Sequence, residues 1–302
     1  MSQSLPGRLA AALLVGPLLG LALPASARPV APFPPLNQPA ISEHRPGKFV
    51  WADLFTADPA AATRFYTGLF GWTASTISQD GKTYTVFGNA GRPVAGLAPR
   101  PRAHAGRPSR WIGYIAVPDL PRALTLVAKD GGKVRAPARD FPNRGTQAIV
   151  ADSEGSLVGL LRSSSGDSTD DEPRPGDWNW FELFAQRPQA TAAFYHDIVG
   201  YDLTPDARTE RKDDFLLSSG GLARAGVAPL PDREDAKPGW LGVVRVASID
   251  EAVARATRLG GEVIVAPRPA AYESRFAIVA DPTGGIVGLV EYVNDANPAN
   301  RP

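Results

Sequence analysis

The chain repeats itself at an offset of 129 residues, and this repeat limits the possible folds more than any other feature. Trp51 recurs as Trp180 and Tyr66 as Tyr195, and the register stays constant over about 110 residues. A constant register over that length predicts two copies of one domain. Other matching pairs are Leu54 and Leu183, Phe55 and Phe184, Phe65 and Phe194, Trp111 and Trp240, and Asp152 and Asp281.

Each copy contains a weaker internal repeat of about 61 residues, so each half of a copy predicts the same small unit. The unit opens with a strand over residues 49–55, whose alternating faces fit a half-buried strand. A helix follows, because Asp58 supplies a capping carboxylate, Pro59 suits the first helical position and Gly71 suits the end. Short β runs complete the unit, for example at residues 84–87 and 94–97.

The first 27 residues have the pattern of a secretory signal peptide. Arg8 precedes an apolar run over residues 9–23, which is too short to cross a ~30 Å hydrocarbon core comfortably. Residues 25–27 (Ala-Ser-Ala) then supply a cleavage site, so we predict cleavage after Ala27 and a secreted or otherwise extracytoplasmic protein. The alternative is an uncleaved membrane anchor, which the Gly-Pro pair inside the run disfavours.

Two segments lack the apolar periodicity of folded elements. Residues 28–47 hold six prolines, which predicts an extended, poorly ordered arm. Residues 163–176 are rich in Ser, Gly, Asp and Pro, which predicts a linker. The predicted order is therefore a signal peptide (1–27), the arm (28–47), a first domain (48–162), the linker (163–176), a second domain (177–293) and a tail (294–302).

Charge and cysteine content exclude several classes of partner. The chain has 32 Lys and Arg against 31 Asp and Glu, and Arg8 lies in the predicted signal peptide, so the remainder is neutral. A neutral chain without a basic run offers no electrostatic footprint for nucleic acid or for an anionic membrane surface. We therefore expect no nucleic-acid partner and no stable membrane insertion after signal cleavage. Cysteine is absent, so an exported protein of this sequence depends on its cores and not on disulfides.

The opening of each copy resembles the vicinal-oxygen-chelate (VOC) superfamily of glyoxalases, bleomycin-resistance proteins and extradiol dioxygenases. The resemblance rests on the strand, the Asp-Pro pair and the helix with Phe-Tyr that closes on Gly. Residues 281–284 (Asp-Pro-Thr-Gly) and 152–155 also match the turn before the family's closing strand. The Trp-rich first strand is similar to that of exported glyoxalase-like antigens of actinobacteria. The resemblance implies an α+β fold with two tandem domains, each a pair of βαβββ units whose curved mixed sheets surround a cavity.

In enzymes of that family the cavity holds a divalent metal on His, Glu or Gln side chains. The corresponding positions here carry residues that cannot donate a side-chain ligand, so we expect no metal and no other cofactor. His44, His104 and His196 fall elsewhere and fit surface histidines. The implied ligand positions are Trp51, about Gly96, Ile112 and Gly159 in the first domain, and Trp180, about Gly226, Leu241 and Gly288 in the second.

Strand alternation brings other side chains to the predicted cavities. If Trp51 faces inward, Asp53 does too, and the same argument applies to Trp180 and Glu182. One interpretation is a pocket in which Trp stacks on a planar apolar ligand, while the carboxylate accepts a hydrogen bond or binds a cation. The other is that Trp fills the space of the metal and that Glu182 pairs with Arg245. Trp111 and Trp240 fall off this register and are predicted to be core. The candidate ligand-binding residues are Trp51, Asp53, Tyr114, Trp180, Glu182 and Arg245, and Asp53 and Glu182 are also weak catalytic candidates.

Three functions remain open from the sequence. The first is a metal-independent binding protein for a small apolar or aromatic molecule. The second is a lyase, isomerase or dioxygenase of the same fold with an unrecognised metal site. The third is a structural or interaction protein whose cavities are closed by aromatic side chains. The residues at the metal-ligand positions cannot bind a metal, and this favours the first function. The shared fold does not decide among the three, because one fold can host unrelated functions.

Overall fold

The computed structural model describes residues 33–79, 82–100, 106–207, 209, 213–232, 234, 236–271 and 273–292. The predicted signal peptide, residues 28–32 of the arm, His104 and the tail lie outside these ranges. Ten elements form the first domain. They are β1 (Phe49–Thr56), α1 (Pro59–Phe70), β2 (Thr73–Gln79), β3 (Lys82–Asn89), β4 (Arg92–Pro99), β5 (Arg110–Ala116), α2 (Leu120–Lys129), β6 (Lys133–Phe141), β7 (Gly145–Ala151) and β8 (Leu157–Ser163).

The second domain repeats the same order of elements, which confirms the predicted α+β class and the tandem βαβββ units. Its elements are β9 (Trp178–Ala185), α3 (Pro188–Val199), β10 (Asp202–Pro205), β11 (Phe215–Ser219), β12 (Leu222–Pro229), β13 (Gly239–Arg245), α4 (Ile249–Arg258), β14 (Glu262–Ala270), β15 (Ser274–Ala280) and β16 (Ile286–Tyr292).

Each domain forms one eight-stranded mixed sheet. The strand orders are β2-β3-β4-β1-β5-β8-β7-β6 and β10-β11-β12-β9-β13-β16-β15-β14. The two units of a domain meet at the antiparallel pair β1–β5 or β9–β13. The first strand of each unit therefore lies at the centre of its sheet, which is where the candidate site residues are.

Helix α1 begins and ends as the sequence predicts. The Asp58 side chain accepts a hydrogen bond from the backbone N–H of Ala61, and Pro59 occupies the first turn. A cap of this kind stabilises a helix by about 1 kcal/mol. Gly71 closes the helix in the left-handed conformation, at φ 72°, which glycine adopts without a Cβ clash. Phe65 and Tyr66 lie on the buried side of α1, which packs against the core.

The hydrophobic cores cross from one domain to the other. One core joins α1 and strands β1, β3 and β4 of the first domain to α4 and strands β13, β15 and β16 of the second. A second core joins the remaining halves, including α2 and α3, which contact each other. All four helices thus lie between the two sheets, and each sheet has one helix-free face. We call these the first face, in the first domain, and the second face, in the second domain.

Equivalent hydrogen bonds join a tryptophan to a tyrosine within each domain, and the tyrosine of the second domain also reaches across to the first domain. Trp111 Nε1 donates to the Tyr66 hydroxyl at 2.8 Å, and Trp240 Nε1 donates to the Tyr195 hydroxyl at 2.9 Å. Tyr195 in turn donates to Asp152 of the other domain, at 3.2 Å. Burial, followed by the nearby carboxylate, raises the pKa of Tyr195 well above its usual value, so the hydroxyl stays a donor. Both Trp111 and Trp240 are packed against the cores, as predicted.

Residues 33–47 depart from the poorly ordered arm that composition predicted. The backbone N–H groups of Leu36 and Asn37 donate to Ser165 Oγ, and the Asn37 amide donates to the Gly166 carbonyl at 2.9 Å. Asp167 accepts from the Arg45 backbone at 2.7 Å. The segment is held by the linker, which supplies the hydrogen-bond partners that a proline-rich chain cannot supply to itself.

Among the described residues, no helix is both long enough and apolar enough to cross a membrane.

Candidate functional site

The first face carries a buried aromatic cluster around one carboxylate. Because β1 alternates, Trp51 and Asp53 share this face. Asp53 Oδ1 accepts from the Tyr84 hydroxyl at 2.6 Å and from Trp51 Nε1 at 2.7 Å, and the indole N–H also lies 3.1 Å from the Tyr84 oxygen. Trp51 is 4% exposed and Asp53 is 5% exposed, so both are shielded from solvent. Tyr114 joins the cluster from β5, directly opposite Trp51.

Both tyrosines of this cluster are held in the neutral form. Burial, and then the negative charge of Asp53, raises the pKa of Tyr84 well above its usual value. The same two causes raise the pKa of Tyr114. Both tyrosines therefore stay protonated across the physiological pH range, and Tyr84 remains a hydrogen-bond donor to the carboxylate. Donors that surround a carboxylate in this way compensate for its lost hydration.

The positions that bear metal ligands in the resembling enzymes have no space for ligands here. Gly96 pairs with Asp53 in the sheet, and a Cβ at Gly96 would lie 1.8 Å from the Tyr84 hydroxyl oxygen. A Cβ at Gly159 would lie 2.1 Å from the ring of Tyr114. The glycines allow the cluster to fill the sheet surface, and the carboxylate of Asp53 lies beside these positions and not at one of them.

Arg144, between β6 and β7, covers the cluster from outside the sheet. Its guanidinium lies 3.9 Å from the centre of the Trp51 ring, a cation–π geometry. Its Nε donates to the Pro34 carbonyl oxygen at 3.0 Å. The Phe33 ring lies 4.6 Å from the Tyr84 ring, centre to centre. Residues 33 and 34 thus complete the cover of the first face.

The second face repeats the indole–carboxylate pair but leaves it less covered. Trp180 Nε1 donates to Glu182 Oε2 at 2.7 Å, and both side chains are half-buried, as is Phe184 on the same face. Strand pairing places Leu241 directly beside Glu182 on one side, and on the other side places Gly226 and, one strand further, Leu216. The second face therefore presents a carboxylate between aromatic and aliphatic side chains.

Arg245 ends strand β13 and is 5% exposed. Its Nη1 donates to Glu172 Oε1 at 2.9 Å and to the Pro173 carbonyl at 2.6 Å, so the linker holds this guanidinium. The guanidinium also lies 5.5 Å from the centre of the Tyr292 ring. Arg245 is consequently fixed in place at the edge of the second face.

The donor set of neither face fits a divalent metal. On the second face, a Cβ at Gly226 would lie 2.3 Å from Glu182 Oε2, while Leu241 and Gly288 carry no donor atoms. Within the described ranges, no three His, Cys, Asp or Glu side chains are close enough to share an ion. Structural and catalytic metal sites need at least three such donors. His44 lies in the arm, 3.7 Å from Asp167, and His196 lies on α3, so neither reaches a face.

Three residues of the first face, Tyr84, Arg144 and Phe33, were not predicted from the sequence. Tyr84 could have been found, because it alternates with Val86 on a strand that the β runs had indicated. Arg144 and Phe33 come from a loop and from the arm, where no periodicity indicates which way a side chain points. The structure brings Trp51, Asp53 and Tyr114 together on one face and Trp180 and Glu182 on the other.

Comparison with known proteins agrees with this architecture. Residues 48–160 match the family model of the Glyoxalase/Bleomycin resistance protein/Dioxygenase superfamily, and residues 180–289 match that of the Glyoxalase-like domain. The chain is 32% identical to "Putative glyoxylase CFP32" of Mycobacterium tuberculosis (strain CDC 1551 / Oshkosh), over 84% of this chain and 98% of that protein. The chain belongs to the glyoxalase/bleomycin resistance protein/dioxygenase superfamily.

Two other proteins are similar over about four fifths of the chain. The Anthracycline biosynthesis protein DnrV of Streptomyces peucetius is 32% identical, over 82% of this chain and 94% of its own. The Mn(II)-bound glyoxalase from Novosphingobium aromaticivorans has the same fold, with a TM-score of 0.57, 16% identity and 82% of each chain covered. That superfamily member binds a metal, whereas both helix-free faces of this one have donor sets unsuited to it.

Proposed function

We propose that the protein is an exported, metal-independent binding protein for a small apolar or aromatic molecule, and that the second face is its binding site. The observation that carries the proposal is the half-exposed pair of Trp180 and Glu182, beside Phe184. A recognition site for a small molecule typically combines an apolar surface with a few placed polar groups. The indole and phenyl rings supply the surface for an aromatic ligand, and the carboxylate supplies an acceptor for a hydroxyl or amine.

Metal independence is supported by the residues at the superfamily's ligand positions. Tryptophan, glycine and leucine occupy those of the second face, and Gly226 is needed to accommodate the Glu182 side chain. A carboxylate that already accepts the Trp180 N–H is a poor single ligand for a transition metal. Export is supported by the apolar run and Ala-Ser-Ala motif of the first 27 residues. N-terminal sequencing of the secreted protein is expected to begin at Arg28, and an intact Met1 would contradict export with cleavage.

The test combines elemental analysis with isothermal titration calorimetry of the purified protein. The probes are 2-naphthol and an anthracycline, the latter because relatives of this chain are named for anthracycline biosynthesis. We expect no stoichiometric transition metal and saturable binding of at least one probe. Trp180→Leu should weaken that binding by at least about tenfold, which corresponds to about 1.4 kcal/mol. Glu182→Gln should weaken it by a smaller factor.

The matched control is Val263→Ala, a truncation at an exposed apolar side chain on β14. It should leave probe binding unchanged. Stoichiometric metal in the purified protein would instead support an enzyme of the superfamily. Absence of binding by both probes, together with association into dimers in sedimentation, would support the interaction protein.

A further inference from the structure

The first face is covered by the chain's own residues in a manner that imitates a ligand. Phe33 inserts an aromatic ring between Tyr84 and Phe141, at 4.6 and 5.1 Å between ring centres. The next residue, Pro34, places its carbonyl oxygen 3.0 Å from Arg144 Nε. An aromatic ring followed by an oxygen acceptor thus occupies the aromatic cluster of this face.

Arg144 is incompletely satisfied by this arrangement. Its side chain is among the most buried in the protein, at 2% exposure, yet its Nη2 has no hydrogen-bond partner among the described residues. An unpaired buried donor of a charged group is costly, so native structures rarely retain one without a reason. The Nε and Nη2 atoms form one edge of the guanidinium, and that edge matches the two oxygens of a carboxylate. Pro34 offers one oxygen and therefore fills half of it.

The covering residues are also weakly fastened. The described hydrogen bonds to the linker begin at Leu36 and Asn37, which donate to Ser165. Among residues 33–35, the only hydrogen bond within the described part of the chain is the one that the Pro34 carbonyl accepts from Arg144. Two of these three residues are prolines, which have no N–H to donate. Residues 33–35 are therefore held on the face by ring packing and one hydrogen bond, whereas the rest of the arm is held by several hydrogen bonds to the linker.

We propose that Phe33 and Pro34 form a displaceable lid over a second site, and that a small aromatic carboxylate displaces them. The ligand's ring takes the place of Phe33 beside Tyr84, and its two carboxylate oxygens pair with Nε and Nη2 of Arg144. Trp51 and Tyr84 donate to Asp53 and partly screen its charge, and the ligand's carboxylate is itself neutralised by the Arg144 guanidinium. The inference extends the proposed function to the first face but depends on different residues, so the two can fail separately.

The experiment is calorimetric titration of the mature protein with 2-naphthoate and, for comparison, with neutral 2-naphthamide. A lid lowers the apparent affinity by the fraction of molecules in which it is open. Phe33→Ala is therefore expected to tighten the binding of both compounds by about tenfold, and 2-naphthoate should remain the tighter ligand because it alone offers two oxygens to the Arg144 edge. In the Phe33→Ala background, Arg144→Lys keeps the charge but not the two-donor edge, and should reverse the gain by about tenfold or more. Unchanged affinity in either variant would overturn the proposal.

Two further measurements keep the result unambiguous if Arg144→Lys fails to fold. Phe33 replaced by 4-fluorophenylalanine gives a ¹⁹F resonance that should move toward its solvent-exposed position as 2-naphthoate saturates the protein. A resonance that stays unchanged at saturation would show that the lid does not move, and would refute the inference. Trp180→Leu in the Phe33→Ala background should leave 2-naphthoate binding intact. Loss of binding there would place 2-naphthoate on the second face and would also refute it.

Discussion

On the first face Trp51 and Asp53 are buried, whereas on the second face the equivalent Trp180 and Glu182 are half-exposed. The indole–carboxylate hydrogen bond itself has the same length, 2.7 Å, on both faces. The difference therefore comes from the surroundings of the pair, above all from Tyr84 and the arm on the first face. One strand pattern has produced a filled surface in one domain and an accessible one in the other. Substitutions at the glycines, at the carboxylates and in the linker test this difference, and their expected effects decrease in that order.

The largest difference is expected at the glycines that face the carboxylates. Gly96→Ala forces a methyl group against the buried Tyr84 hydroxyl, 1.8 Å away, and should destabilise the protein by about 3 kcal/mol. Gly226→Ala meets the half-exposed Glu182 side chain, which can move toward solvent, and should cost about 1 kcal/mol. Urea denaturation measures both. Gly239→Ala, where nothing lies within 4 Å, is the control. Equal losses at Gly96 and Gly226 would contradict the difference in packing.

A smaller difference is expected for the carboxylates themselves. Asp53→Asn removes a buried charge that accepts hydrogen bonds from the Trp51 N–H and the Tyr84 O–H. The substitution should lower the free energy of unfolding by about 2 kcal/mol. Glu182→Gln retains an acceptor oxygen in a half-exposed setting and should cost under about 1 kcal/mol. Thermal and urea unfolding would check both variants. A larger loss for Glu182→Gln would show that the second face is the more tightly packed one.

The smallest effect concerns Asp170, the linker residue that joins Lys48 of the first domain to Arg224 of the second. Burial alone would raise its pKa, but the hydrogen bonds from Arg224 and Lys48 outweigh burial and lower the pKa to about 2. A lowered pKa contributes stability above the unfolded value near 4, and this stability is lost as the pH falls toward 2. Because Asp170 is largely exposed to solvent screening, we expect under about 1 kcal/mol.

Asp170→Asn tests this contribution. The variant should lose that stability at pH 7 and should show a flatter decline in unfolding free energy between pH 4 and pH 2. Parallel declines for the variant and the parent protein would mean that Asp170 does not link the domains. Amide hydrogen exchange at Lys48 would show whether the substitution also destabilises the start of β1, the strand that carries Trp51 and Asp53 of the first face.

Much of the fold could be predicted from the sequence because its signals are local or repeated. Asp58 and Gly71 mark helix α1 by short-range capping, and strand alternation alone puts Asp53 on the same face as Trp51. Whether each face is covered or accessible to solvent could not be predicted in this way. Arg144 has no counterpart in the second domain, since the repeat places Glu273 there. Composition also gave no sign of the contacts of residues 33–47, because proline content does not reveal the hydrogen-bond partners that the linker supplies.

Each hydrophobic core contains residues of both domains, and this limits how such a chain could have evolved and whether one domain could exist alone. Since every helix packs on material from the other half, a lone copy would leave half of each core exposed to water. A one-domain ancestor would thus have needed to assemble in pairs, with both subunits bearing identical surfaces. Joining two copies in one gene removes that symmetry, and each half can then accumulate its own substitutions. The described part of the arm, residues 33–47, covers the first face and not the second, and such inequality is open to a fused chain but not to a symmetric pair of identical subunits.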